Sequence, residues 1–260
     1  MAGTVVVCGD SLATRFGLFH RRDSSAFPQL LRKALAVQGL KVVSLAKAGL
    51  MVRDTQAQLD RVINMDPAVV ILFNGGRESL LRDSRLLNLI RTDPRRVAAT
   101  GWKAPLQAIR RCIYKGFLAS VQGPRGDLAA TLIMSSPNLH HGEFRASFND
   151  VLDAILDRTS AHVIAIVPCG LEMRIYPWSI RNNVAIQETV ARSAQHSDRV
   201  TCIDLRDDHY LSPENFQGDG VHYSEAGHRA IAAELEQRVT SLDLAAATPD
   251  EPVSQSLSRK

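Results

Sequence analysis

The sequence has no run of apolar residues near the roughly 18 that a membrane-crossing helix requires, so no transmembrane segment is expected. It opens without the basic region, long apolar stretch and small-residue cleavage site of a secretory signal, and the expected location is the cytoplasm. Cysteine is scarce. Cys8, Cys112, Cys169 and Cys202 match no zinc or redox spacing, and three of them stand in apolar, strand-like runs. A cysteine there behaves as a small hydrophobe, so free thiols are expected. Charge of one sign is not in large excess. A net charge of +4 and a pI of about 9.0 are too mild to argue for a nucleic-acid partner. No internal repeat is visible, and recurring apolar runs exclude general disorder.

What is present is an alternation. Short apolar runs lie at 4–8 (TVVVC), 41–45 (KVVSL), 68–73 (AVVILF), 162–167 (HVIAIV) and 200–204 (VTCID). They are rich in valine and isoleucine and almost unbroken by polar residues, the signature of strands buried on both faces of a parallel sheet. Helical patterns fill the gaps, at about 26–38, 54–64, 143–158, 181–196 and 224–241. The expected fold is therefore α/β: a three-layer α/β/α sandwich with right-handed crossovers and a five-stranded parallel sheet. With 260 residues and 45% hydrophobic content the chain can bury a large core. The reading is one domain over 1–242, with a helical insertion or lid at about 79–140 and a disordered tail over 243–260.

The insertion carries the charge asymmetry. Residues 82 to 126 hold ten Lys or Arg against two Asp. Within it Trp102, Leu106, Ile109, Ile113 and Phe117 recur at spacings of three and four beside a basic flank. Such a helix packs on the body as a surface element, covers a substrate, or docks an acidic partner.

Chemistry-bearing residues cluster where strands end, which is where open α/β sheets bind ligands. Gly9-Asp10-Ser11-Leu12 follows the first strand. Glycine allows a sharp turn there, and the serine hydroxyl then stands above the sheet edge. A helix cap is the plainer reading of such a serine, and Asp10 reads as a brace of the turn. Near the other end, Asp219 precedes His222 by three residues in Gly218-Asp219-Gly220-Val221-His222-Tyr223. A carboxylate on one ring nitrogen fixes the tautomer and leaves the other nitrogen for a serine. The two segments together point to a serine nucleophile with a histidine base.

On these residues the sequence resembles the SGNH hydrolases, also called the GDSL esterase/lipase family, from residue 4 to about 241 with 79–140 unmatched. The resemblance implies a flavodoxin-like sheet and hydrolysis of esters, thioesters or amides, or acyl transfer, without metal or other cofactor. It puts the nucleophile at Ser11, the orienting carboxylate at Asp219 and the base at His222. Ala48-Gly49 matches the second family block, whose glycine N–H joins that of Ser11 in the oxyanion hole. The third block departs. The family has Gly-x-Asn-Asp, whereas Gly75, Arg77 and Glu78 stand at its glycine, asparagine and aspartate, with Asn74 three residues early. Arg77 therefore replaces the asparagine donor, or holds a substrate anion, or pairs with Glu78 or Asp10. Asp10, Arg77 and Glu78 are the expected substrate contacts. The expected partner is a small acyl substrate. An acidic acyl carrier protein fits the basic segment if the enzyme is an acyltransferase. A catalytically weak binding protein is the remaining reading.

Overall fold

The computed structural model describes residues 3–14, 25–79, 139–169, 179–217 and 221–242. Five strands, β1 (Thr4–Gly9), β2 (Lys41–Ser44), β3 (Pro67–Phe73), β4 (His162–Val167) and β5 (Val200–Asp204), form one parallel sheet in the order β2-β1-β3-β4-β5. Among the described helices are α1 (Phe27–Ala36), α2 (Val52–Ala57), α3 (Leu59–Ile63), α4 (Gly76–Ser79), α5 (His141–Arg158), α6 (Ile180–Arg192) and α7 (Glu225–Ser241). The helix expected over 54–64 is two short helices that meet at Gln58, whose φ of −101° and ψ of 3° leave the helical region. The expected insertion, Cys112 and the expected tail lie outside the described residues, save for the few at the insertion's ends.

Alternation along the strands builds two cores. Val5, Val7, Ile71 and Phe73 face α1 and α7, where Phe27, Leu31, Leu35 and Leu235 complete one buried cluster. Val6, Cys8, Val70 and Leu72 face the other way, onto Val52, Phe148, Leu152 and Ile186. The central strands are buried on both sides, which explains their unbroken hydrophobicity. Cys8, Cys169 and Cys202 are free thiols.

Two features of this frame place the site. The order reverses between β1 and β3, because the chain runs outward to β2 and then returns across β1 to β3. Loops on the two sides of that reversal diverge and leave a crevice at the strand ends. At the sheet margin, Lys41 N donates to Gly3 O and Leu45 N to Val7 O, so alternate residues of β2 face β1. Val42 faces outward, and Arg32 Nε of α1 donates to its carbonyl at 3.1 Å.

Candidate active site

Three loops meet above β1 and β3. The first is the end of β1. Asp10 N donates to Phe73 O, and a Cβ on Gly9 would stand 2.6 Å from that same oxygen. Only glycine permits this approach. Asp10 then caps a 3-10 turn over Ser11–Ala13, with Oδ1 accepting from Leu12 N at 2.8 Å. Because Asp10 takes the capping role, the Ser11 side chain is left for other work.

That side chain meets an imidazole. His222 Nε2 lies 3.0 Å from Ser11 Oγ across 211 residues of sequence. His222 is held from both sides. Before it, Gln217 N donates to His222 O at 2.8 Å. After it, the buried Tyr223 pairs with Phe216 in an antiparallel bridge and packs its ring against Phe73. Ser224 next caps α7, accepting from Ala226 N at 3.1 Å and Gly227 N at 3.3 Å. When Nε2 accepts from the serine, the ring proton sits on Nδ1. Asp219, the expected partner of that nitrogen, lies outside the described residues.

The second loop follows β2. Lys47 N donates to Gly9 O at 3.2 Å and Leu50 N to Lys47 O at 3.2 Å, so the loop lies along the end of β1. Gly49 has φ +90°, a backbone conformation that other residues adopt only under strain. A Cβ there would also stand 2.5 Å from Arg77 Nη1. The Arg77 guanidinium therefore lies over Gly49, where the sequence puts an oxyanion donor.

The third loop follows β3 and is packed onto the first. Gly76 is in contact distance of the Leu12 side chain, and Arg77 N donates to Asp10 Oδ2 at 3.0 Å. Glu78 Oε2 accepts from Gly75 N at 3.1 Å, and Oε1 accepts from Val52 N at 2.6 Å. Asp10 and Glu78 are both 0% exposed. This corrects the expectation that they touch substrate: their oxygens face backbone amides inside the protein. Asn74, the alternative oxyanion donor, is 1% exposed and its Oδ1 faces Thr55 Oγ1 at 3.4 Å, so it too is held inside. Arg77 is exposed and remains the side chain of this loop placed beside Gly49.

Burial pushes the Asp10 carboxyl above its ordinary range, against the opposing pull of the Leu12 and Arg77 amides. Burial, and then the charge of Asp10, pushes Glu78 up to about 8. A third buried group is a histidine for which the sequence shows no partner at a readable spacing. His228 of α7 accepts from Phe27 N through Nδ1 at 3.4 Å, and burial pushes it down to about 4. Its partner lies 201 residues away, so no local spacing could have shown it. Among the described residues no cluster of His, Cys, Asp and Glu has the makings of a metal site.

No curated protein matches the sequence. Solved structures do. A lipase/acylhydrolase from Enterococcus faecalis is 17% identical, with 96% of this chain and 99% of that chain covered and a TM-score of 0.58. Axe2, an acetylxylan esterase from Geobacillus stearothermophilus, is 15% identical over 93% of this chain and 95% of its own, with a TM-score of 0.57. TesA is 15% identical over 91% of this chain and 97% of its own, with a TM-score of 0.54. At such identities the likeness establishes the fold: the α/β sandwich of the SGNH hydrolases. The model of the GDSL-like lipase/acylhydrolase family matches residues 7–230. That match begins in β1, spans the sheet and ends in α7, and on it the chain belongs to the GDSL-like lipase/acylhydrolase family.

Proposed function

We propose that the protein hydrolyses an acyl ester through an acyl-enzyme on Ser11. Membership of the acylhydrolase family supports ester hydrolysis. The observation that carries the residue assignment is the 3.0 Å contact between His222 Nε2 and Ser11 Oγ. Neutral His222 takes the hydroxyl proton as Ser11 attacks the carbonyl carbon, and Asp219 holds the imidazole and offsets its charge. The tetrahedral oxygen takes its stabilisation from the amides of Ser11 and Gly49. Neither amide is spent in the backbone hydrogen bonds of the described residues. Arg77, over Gly49, supplies the third donor and a positive charge. Protonated His222 then delivers its proton to the leaving alkoxide. Water enters, His222 deprotonates it, and the same steps release the acid.

The charge of segment 82–126 supports a second reading, in which an acidic carrier protein delivers the acyl group and an alcohol or amine replaces water. A cytoplasmic location suits that role. No described helix is long and apolar enough to cross a membrane.

A panel of short and long acyl esters and thioesters, assayed with a fluorophosphonate probe, tests the proposal. The wild-type protein should be labelled and active, and Ser11→Ala should be folded, unlabelled and inactive. Labelling that persists in Ser11→Ala moves the nucleophile elsewhere. Arg77→Ala should lower kcat about 10²–10³-fold, the usual cost of one oxyanion donor, with KM little changed. A rise in KM confined to anionic substrates would instead make Arg77 a substrate anchor.

A further inference from the structure

The two donors proposed for the oxyanion besides Ser11 come from separate loops. Gly49 lies after β2, and Arg77 lies after β3. The sheet relates them only at one remove, because β2 and β3 each pair with β1 and not with one another. Two side-chain links span the gap: Thr55 Oγ1 of α2 meets Asn74 Oδ1 at 3.4 Å, and Glu78 ties the two backbones. Glu78 accepts from Gly75 N with one oxygen and from Val52 N with the other, at 3.1 and 2.6 Å. Gly75 begins the turn that carries Arg77. Val52 is the first residue of α2, three residues after Gly49, and the stretch between them is tightened further by Leu50 N on Lys47 O and Met51 N on Asp54 Oδ2 at 2.7 Å.

We propose that Glu78 is a positioning residue, which ties the β2–α2 loop to the β3–α4 turn and thereby fixes the Gly49 amide and the Arg77 guanidinium on one oxyanion. The inference rests on the proposed use of Gly49 and Arg77 as donors. Three observations carry it. Glu78 is 0% exposed, so it does not reach substrate itself. Its partners are backbone amides, whose positions define the loops rather than flexible side chains. The contact it braces is close: a Cβ on Gly49 would strike Arg77 Nη1. A displacement of about 1 Å in that contact weakens the transition state and leaves the ground state nearly untouched.

Two variants break the tie by different routes. Glu78→Gln keeps the size of the side chain but turns an NH₂ toward one of two amide donors. Val52→Pro removes the other half of the bond and leaves Glu78 in place. Proline suits the first helical position, and Met51, at φ −121° and ψ 170°, already has the extended conformation that precedes proline. Both variants should show kcat reduced about tenfold or more with KM within about twofold, when rates are divided by the number of sites that a fluorophosphonate titrates. Because both break one strut, Glu78→Gln/Val52→Pro should be no slower than the worse single variant. A strut that merely holds the fold together would lower the melting temperature and the number of titratable sites while kcat per site stayed at the wild-type value, and that result overturns the proposal. So does a loss carried wholly by KM. Ser11→Ala, run alongside, separates the failures: if it retains activity, the assignment of the site is wrong, whereas an inactive Ser11→Ala beside normal kcat in both strut variants defeats only the role of Glu78.

Discussion

Two populations of carboxylate divide the labour in this protein. On the helices, Glu225, Glu234 and Glu188 pair with arginines four residues on, at 2.7, 2.8 and 3.5 Å. Under the nucleophile, Asp10 and Glu78 have no exposure and face backbone amides from three loops. An arginine is flexible and solvated, so an exposed pair of this kind contributes about 0–1 kcal/mol and fixes little. An amide belongs to the main chain. A carboxylate that accepts from two of them fixes the distance between two segments, and when it is buried nothing in solvent can substitute. The same functional group is thus a solvated ornament on α7 and a strut beneath Ser11.

Substitutions that exchange or remove members of each population test the contrast. Asp10→Ala should do the most damage. It strands the Leu12 and Arg77 amides, at about 1–3 kcal/mol for each buried unsatisfied donor, and it releases the turn that presents Ser11. Thermal melts and esterase rates should both fall steeply, and a variant with wild-type rates would place the brace elsewhere. Next comes a pH effect at Glu78. Burial lifts Glu78 from its ordinary 4.5 to about 8 in the folded protein, against the pull of the two amides that favour the carboxylate. Between these values the folded state binds more protons, so the stability held at Glu78 is full below the lower one and declines toward the upper. The difference in melting temperature between wild type and Glu78→Gln should shrink as pH rises from 5 to 8. A constant difference would mean that Glu78 is ionised throughout.

His228 should show the opposite slope, more weakly. Its folded value of about 4 lies below the ordinary 6.5. The unfolded chain therefore binds more protons between the two, and stability held at His228 is full above 6.5 and is lost as pH falls toward 4. His228→Gln should melt with less dependence on pH in that window, read by calorimetry. The smallest effect belongs to the surface population. Glu234→Gln should cost about 0.3–0.5 kcal/mol, the usual worth of a helical pair, and should leave kcat alone. A loss as large as that of Glu78→Gln would erase the distinction between the two populations.

The sheet was legible because its strands are short, continuous in valine and isoleucine, and bounded by polar residues. All five lie within a residue of where the pattern put them. The break at Gln58 was not, since it interrupts an otherwise helical pattern without glycine or proline. Ser11 and His222 could be singled out because each sits in a short, dense motif at a strand or helix end. Asp10 as the brace of its own turn was legible too, but the ties between loops were not. Asp10 meets an amide 67 residues away and Glu78 one 26 residues away, and which loops adjoin depends on a strand order that no local pattern encodes. For the same reason Asp10 and Glu78 read as substrate contacts: a carboxylate in a glycine-rich loop looks exposed until neighbouring loops are seen to cover it. The position of Asp219 and the form of the basic segment fall outside the described residues, and both remain proposals drawn from sequence.

The edge of a parallel sheet invites a second chain to add a strand, and among the described residues the β2 margin offers the outward groups of Val42 and Ser44 to such a visitor. Arg32 already occupies the Val42 carbonyl. An incoming strand would have to displace that hydrogen bond and bring its own backbone against a fixed positive charge, with Lys41 exposed alongside. The arginine thus acts as a guard against edge-to-edge polymerisation. It keeps a sheet that must leave its other end open for catalysis from being recruited, along its side, into something insoluble.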